Sequence, residues 1–214
     1  AALSGHARDR ETPYRAVTAE DFEYVATHTP GLRFGRAAAI VERETHDGDC
    51  ADSKSVRVVT VPFSTRERAI PSEGFLDAVQ CHLQRHRLLT DRVSAEPPLY
   101  VGVEVIAEVE LDPGRSAAER AAAVEDALHA FIDPLEGFDG DGWPFGRPLY
   151  RSELYETIER VDGVDCVYDL SITTDGDADI DADGNALIPE TALLYSSGHT
   201  VDIRRDRTGC ARRS

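Results

Sequence analysis

The segment 101–111 constrains the fold more than any other part of this sequence. Apolar residues occupy its odd-numbered positions, whereas Glu104, Glu108 and Glu110 stand at even-numbered ones. A period of two indicates a strand with one buried and one solvated face. Such one-sided strands are typical of antiparallel sheets rather than of central positions in parallel ones. The segment therefore predicts a β-strand with one wet side, paired with antiparallel neighbours.

Four helices are predicted, because Ser or Thr precedes a run with apolar residues at helical spacing. The side chain of such a residue accepts a hydrogen bond from the first turn, and an acid three residues on completes a capping box. The predicted caps are Thr18 (with Asp21), Ser72, Ser116 (with Glu119) and Ser152.

Helices and strands together favour an α+β fold. We expect two small modules, at 17–98 and 99–203, in which helices cover antiparallel sheets. The order helix, strand, strand recurs at 18–63 and 152–203 as an internal αββ echo. Residues 1–16 are interpreted as a linker or upstream remnant, because the chain lacks methionine, and 204–214 as a mobile basic tail.

Charge excludes several classes of partner. Forty Asp and Glu against twenty-three Lys and Arg give a net charge of −17. Nucleic acids and anionic membrane surfaces would be repelled, and no run approaches the length of a membrane span. Lys54 is the only lysine; this bias fits a halophile, whose proteins use surface carboxylates in molar salt, and equally a high-GC genome.

The cysteines argue against a disulfide framework. Cys50, Cys81, Cys166 and Cys210 are spaced too widely for a redox or zinc pair. Cys81 and Cys166 stand among apolar residues and are expected to be small core residues. The expected compartment is intracellular.

An acidic motif suggests a cation site. Asp179, Asp181, Asp183 and Gly184, with Glu190 after five more residues, match the pattern of a calcium-binding loop. However, Pro189 and Leu187 depart from that pattern, and the loop lies between strands. Either calcium binding or a solvated hairpin loop explains the motif, and no other cofactor is expected.

Catalytic motifs are not evident. His82 and His86 form an i, i+4 pair but have no evident third metal ligand. The run Ser196–His199 lacks the frame of a nucleophile elbow. The sequence therefore predicts no enzyme.

The segment 134–150 combines aromatic residues with Gly and Pro. It contains Trp143, Phe145 and Arg147, and Trp and Arg are enriched at binding hot spots. Two interpretations stay open: an interaction loop, or a loop that folds its aromatics onto its own core. The first predicts that Trp143→Ala or Arg147→Ala weakens assembly and leaves the fold intact.

Several motifs together resemble one family. In chain order they are 15–22 (RAVTAEDF), 134–137 (PLEG), 142–147 (GWPFGR), 152–155 (SELY), 161–164 (VDGV), 192–194 (ALL) and 199–201 (HTV). Their order and spacing are similar to the C-terminal part of baseplate J-like proteins, the wedge subunits of contractile phage tails and contractile injection systems. The acidic loops at 46–53 and 175–185 depart from the family, and its N-terminal part is absent.

The resemblance implies structural work without catalysis. Such subunits pair with copies of themselves or with a paralogous wedge subunit. They contact other baseplate, hub and sheath proteins, and link the hub to the sheath. Assembly in the host cytoplasm, into a virion tail or an injection particle, would follow. The alternative from another class is a calcium-stabilised adhesion or binding module that uses the loop 179–190.

Overall fold

A computed structural model describes residues 15–44, 53–64, 68–112, 116–176 and 178–204. The chain divides between Pro98 and Leu99 into two compact units, at the boundary between the two predicted modules. Each unit contains a three-stranded sheet and two α-helices. The predicted α+β class is thus confirmed. The predicted linker, the loop 46–53 and the basic tail lie almost wholly outside the described residues.

The first unit is a three-stranded sheet with two helices on one face. Its elements are α1 (Ala19–Thr27), β1 (Phe34–Glu44), β2 (Ser53–Pro62), α2 (Glu73–His86) and β3 (Arg92–Glu96). The sheet order is β1-β2-β3, and β2 runs antiparallel to β1 and parallel to β3. The helices bury Phe22, Val25, Val79 and Leu83 against Val56, Val58 and Val93 of the sheet.

The second unit repeats this arrangement of strand directions. Its main elements are β4 (Leu99–Leu111), α3 (Ala117–Ile132), α4 (Arg151–Glu159), β5 (Val164–Thr174) and β8 (Ala192–Ile203). The order is β5-β4-β8, with β4 antiparallel to β5 and parallel to β8. A 3-10 turn (Phe138–Gly140) and a hairpin of β6 (Asp179–Ile180) and β7 (Ala186–Leu187) complete it.

The strand predicted from 101–111 is central rather than flanked only by antiparallel neighbours. Its odd residues, such as Val103 and Val105, are buried against α3 and α4. Glu104 and Ile106 on the opposite face are exposed, which confirms the wet side there, whereas Glu110 is buried and accepts a hydrogen bond from the hydroxyl of Tyr168. The parallel partner β8 is more than eighty residues away in sequence, and alternation within one strand carries no information about the direction of such a partner. The sheets are therefore mixed rather than antiparallel.

Of the four predicted helix caps, two form as expected and two do not. Thr18 forms the predicted capping box with Asp21, and Ser72 accepts from the N–H of Phe75. Ser116 stands at the N-cap of α3 but makes no side-chain cap bond, so its predicted box is wrong. The fourth helix begins at Arg151, after Tyr150 rather than Ser152.

The αββ order occurs in both units, with one difference in pairing. β1 and β2 bond to each other, whereas β4 lies between β5 and β8. Strand β3 was not predicted, because it has only five residues, of which only Val93 and Ala95 are apolar. Among the helices of the described segments, none combines the length and apolarity needed to cross a membrane.

Candidate functional site

The aromatic segment begins with a turn that Asp133 organises at the end of α3. Its Oδ1 accepts hydrogen bonds of 2.7 Å from the N–H groups of Leu135 and Glu136. Its backbone carbonyl accepts from Gly137 at 3.1 Å and from Trp143 at 3.2 Å. These four bonds fold the chain back, so that Trp143 returns to the end of the helix that precedes it.

Close backbone packing makes this turn dependent on glycine. A Cβ atom on Gly137 would lie 2.5 Å from the carbonyl oxygen of Asp133 and 2.6 Å from that of Phe131. Phe138 and Asp139 follow with φ of 41° and 57°, a left-handed region that costs energy for residues other than glycine. The tight turn thus places the Phe138 ring over the segment.

Trp143 belongs to the core of the second unit. Its side chain is fully buried, and its ring meets those of Phe131 and Phe138 edge-on, with centroids 5.4 and 5.5 Å apart. Its Nε1–H donates a 3.1 Å hydrogen bond to the carbonyl of Arg147. Of the two interpretations, the structure favours the fold-back onto the core for Trp143. This burial leads us to expect that Trp143→Ala loses stability, in contrast to the outcome that the interaction-loop interpretation predicts.

Arg147 is held by charge and by aromatic rings. Its guanidinium makes a two-pronged ion pair with Glu153, one prong measuring 3.0 Å from Nη1 to Oε2. It lies 4.3 Å from the ring centroid of Phe138 and 5.0 Å from that of Trp143. Hydrogen bonding to Glu153 raises the pKa of Arg147 above its ordinary value, so the guanidinium stays charged in this position.

The end of the segment is attached to the start of β8. Gly146, with φ of 64°, donates a 3.1 Å hydrogen bond to the carbonyl of Ala192. Phe145 and Arg147 are half-buried, and Tyr150 is exposed. Whether Phe145 and Arg147 contact a partner stays a prediction.

The acidic motif forms a hairpin turn that bonds to itself. Asp181 Oδ1 accepts from the N–H groups of Asp183 and Asn185, and its Oδ2 accepts from the Asn185 side chain at 2.9 Å. These bonds, led by that from the Asn185 side chain, lower the pKa of Asp181. The Asp181 carboxylate, one of the four predicted calcium ligands, thus already accepts hydrogen bonds from donors of its own turn.

The four predicted calcium ligands do not converge on one site. No three of Asp179, Asp181, Asp183 and Glu190 bring ligand atoms within 4.8 Å of one another. Within the described segments, that separation is met by Glu110, Asp165 and Cys166.

Cysteine expectations also change. Cys166 is buried, as expected, but it is disulfide-bonded, so its sulfur offers no thiolate to a metal. Cys81 is free and exposed rather than a core residue. Spacing in the sequence alone does not reveal such a bond.

The histidines named from the sequence lie in different units: His82 and His86 in the first, His199 in the second. The rings of His82 and His86 lie 4.7 Å apart on α2, and burial, followed by the charge of His86, lowers the pKa of His82. In the second unit, His199 Nε2 lies 2.7 Å from Ser196 Oγ, while its Nδ1 accepts from the N–H of Val105 at 3.2 Å.

This geometry determines what the Ser196–His199 pair does. A neutral imidazole that accepts at Nδ1 carries its proton on Nε2 and donates it. The ring therefore donates to Ser196 and is in the wrong tautomer to remove a proton from it. This pairing depends on a β-bulge in β8, which no pattern in the sequence predicts.

The sequence and the fold were compared with those of known proteins. No protein-family model matches this sequence, and no curated protein matches it. Among solved structures, a chain from the cryo-EM structure of the anti-feeding prophage baseplate, 6-fold symmetrised, has a TM-score of 0.57 at 16% identity. The fold is similar to that of a baseplate chain. The likeness covers 91% of this chain, which spans 40% of that baseplate chain. It supports a relation to baseplate proteins at the level of fold.

Proposed function

We propose that this protein is a structural wedge subunit of the baseplate of a contractile tail or contractile injection system. The observation that carries the proposal is the likeness of fold to the anti-feeding prophage baseplate chain over 91% of the present chain. The ordered motifs that resemble baseplate J-like proteins give independent support from sequence. In this role the subunit pairs with a copy or a paralogue, surrounds the hub and links it to the sheath.

The proposal assigns assembly rather than catalysis. His199 donates to Ser196 through Nε2 and cannot accept a proton there, so this pair does not activate Ser196 as a nucleophile. Assembly is proposed to occur in the host cytoplasm, before the subunit becomes part of a virion tail or an injection particle. The net charge of −17 with a single lysine supports a halophilic host, where molar salt screens repulsion between acidic subunits.

Purification from the native host in molar salt tests the proposal. The full-length protein would carry an affinity tag, and mass spectrometry with negative-stain microscopy would follow. We expect tail-like particles that contain tube, sheath and hub proteins. A tagged host protein of similar acidity controls for non-specific capture. A lone monomer or dimer without tail proteins would contradict the proposal and leave the likeness as one of fold only.

A further inference from the structure

Helix side chains bond to three of the four outer edges in the two three-stranded sheets. On β1, the N–H of Ala39 donates to Glu23 at 3.0 Å. On β3, Gln80 imitates a peptide group: it donates to the carbonyl of Val93 at 2.8 Å and accepts from the N–H of Ala95 at 2.7 Å. On β5, Arg151 donates to the carbonyl of Leu170. Such bonds occupy groups that would otherwise pair with another strand.

The fourth edge, that of β8, differs over its C-terminal half. Leu99 donates to the carbonyl of Thr191, and Arg204 donates to that of Val109, so odd-numbered residues of β4 bond to β8. In a parallel ladder, the β8 residues that stand opposite these odd-numbered residues direct their own backbone N–H and C=O groups away from β4. Within the described segments these outward groups, from His199 to Ile203, have no hydrogen-bond partner. The residues whose backbone groups point outward, in the plane of the sheet, are His199, Val201 and Ile203.

The first residue of β8 already uses its outward groups. Ala192 bonds to Pro189 and Gly146 through its outward groups. The bulge at Ser197 and Gly198 then interrupts the register with β4. The remaining segment, 197–203, spans about 20 Å, which is the length of an ordinary strand.

The two faces beside this edge differ in chemistry. Toward α3 lie His199 and the half-buried side chains of Val201 and Ile203, which pack against the core. On the opposite face Asp202 is exposed and stands opposite Glu108 of β4, which also forms an ion pair with Arg204 at 3.7 Å. A strand added here would alternate between an apolar groove and an acidic surface.

We propose that the edge 197–203 of β8 accepts, by strand addition, an extended segment of a different baseplate subunit that alternates apolar and basic residues. The inference rests on the proposed function for the identity of the subunit, whereas the edge itself stands on the geometry. Main-chain bonds supply affinity in this mode, and alternate side chains supply specificity. The strand β8 of a second copy fits less well, since its exposed face carries Asp202 rather than a basic residue.

The first test uses the isolated full-length protein and a nine-residue peptide of alternating Val and Arg at low ionic strength. Amide NMR signals of Gly198–Ile203 are expected to shift. Val201→Pro removes an outward N–H and no ladder bond, so it is expected to abolish the shifts while the melting temperature stays within a few degrees. Val201→Thr keeps the N–H and is the matched control. Absence of shifts in the wild type, or their persistence with Val201→Pro, would overturn the proposal.

Should Val201→Pro fail to fold, Asp202→Arg gives an independent variant. It leaves the backbone unchanged and reverses a charge on the exposed face, so peptide affinity is expected to fall at least several-fold. Unchanged affinity would argue against the predicted basic face of the partner segment.

The second test identifies the partner in particles. A photo-crosslinking amino acid in place of Thr200, on the exposed face of β8, is expected to capture an extended basic segment of another baseplate subunit. Capture of a second copy would overturn the assigned occupant. If the wild type enters no particle, the proposed function fails, and the peptide experiment still decides the edge.

Discussion

The imidazole of His199 replaces a peptide carbonyl as the acceptor for Val105. The N–H of Val105 donates to Nδ1 at 3.2 Å beside the bulge where β8 leaves register with β4. In a regular ladder this donor would bond to the backbone of the neighbouring strand. The ring of His129 on α3 lies 4.7 Å from that of His199. Protonation of Nδ1 would break the bond and place a charge beside a second histidine.

Acid is therefore expected to weaken the second unit between about pH 6.5 and 4. Burial, followed by the charge of His129, lowers the pKa of His199 to about 4, against about 6.5 in an unfolded chain. The unfolded chain binds a proton in this window and the folded chain does not, so the free energy of unfolding falls as the pH falls. The loss is on the order of 1–2 kcal/mol after allowance for partial exposure. Thermal melting across this pH range measures it.

His199→Gln is the control for this prediction. A glutamine amide can still accept from Val105, but it does not titrate, so stability between pH 6.5 and 4 is expected to become flatter. Loss of stability below pH 4 would persist, because Asp21 and Asp181 have lowered pKa values and stabilise the fold only while ionised. An unchanged slope in the variant would show that another group titrates in the window.

Substitution of Trp143 is expected to destabilise the second unit. Trp143→Ala leaves a cavity between Phe131 and Phe138 and should reduce the free energy of unfolding by about 3–5 kcal/mol. Trp143→Phe keeps an aromatic ring but loses the donor to the Arg147 carbonyl, so its cost should be smaller. Denaturant unfolding followed by circular dichroism measures both. Wild-type stability in the Ala variant would contradict the core assignment.

Trp143 also offers a selective probe. It is the only tryptophan in the sequence, so its fluorescence reports on the second unit alone. We expect blue-shifted emission in the native state and a red shift when this unit unfolds. Native emission typical of a solvated indole would contradict its burial.

Local signals in the sequence predicted local structure well. Thr18 with Asp21 sets a helix start, because both partners lie within one turn and their reciprocal bonds need no distant residue. The alternation in 101–111 predicted the strand and the exposure of Glu104, although Glu110 on the same face is buried. Ser116 shows the limit of such patterns: the residue types suit a capping box, but its hydroxyl does not bond to the helix.

Contacts between residues far apart in the chain could not be predicted from the sequence. The parallel pairing of β4 with β8 and the bond between His199 and Val105 depend on register between distant strands. The burial of Trp143 was open, because aromatic residues in a Gly- and Pro-rich loop suit a core and an interface equally well. Only the return of the chain to Asp133 decides between them.

Chelation of calcium is expected to leave the melting temperature unchanged. Both carboxylate oxygens of Asp181 already accept hydrogen bonds within the turn, so the hairpin needs no cation to satisfy them. Melting with and without EGTA at fixed ionic strength measures this. A ligand at 100 times its dissociation constant would add about 2.7 kcal/mol. A decrease of several degrees on chelation would therefore restore the calcium-stabilised binding module as the better account of the loop 179–190.

One substitution, glycine to alanine, is expected to act in opposite directions in the two units. At Gly137 a Cβ atom would meet two backbone oxygens at 2.5 and 2.6 Å, neither of which can move without opening the turn. Gly137→Ala should therefore destabilise by about 1–3 kcal/mol, the cost of overpacking. At Gly74, near the start of α2, nothing lies within 4 Å, so Gly74→Ala should stabilise by up to about 1 kcal/mol. Denaturant unfolding of both variants measures the contrast, with tryptophan fluorescence for Gly137→Ala and circular dichroism for Gly74→Ala. A neutral Gly137→Ala would mean that the turn between Asp133 and Trp143 can relax, and would weaken the argument that this turn fixes Trp143 in the core.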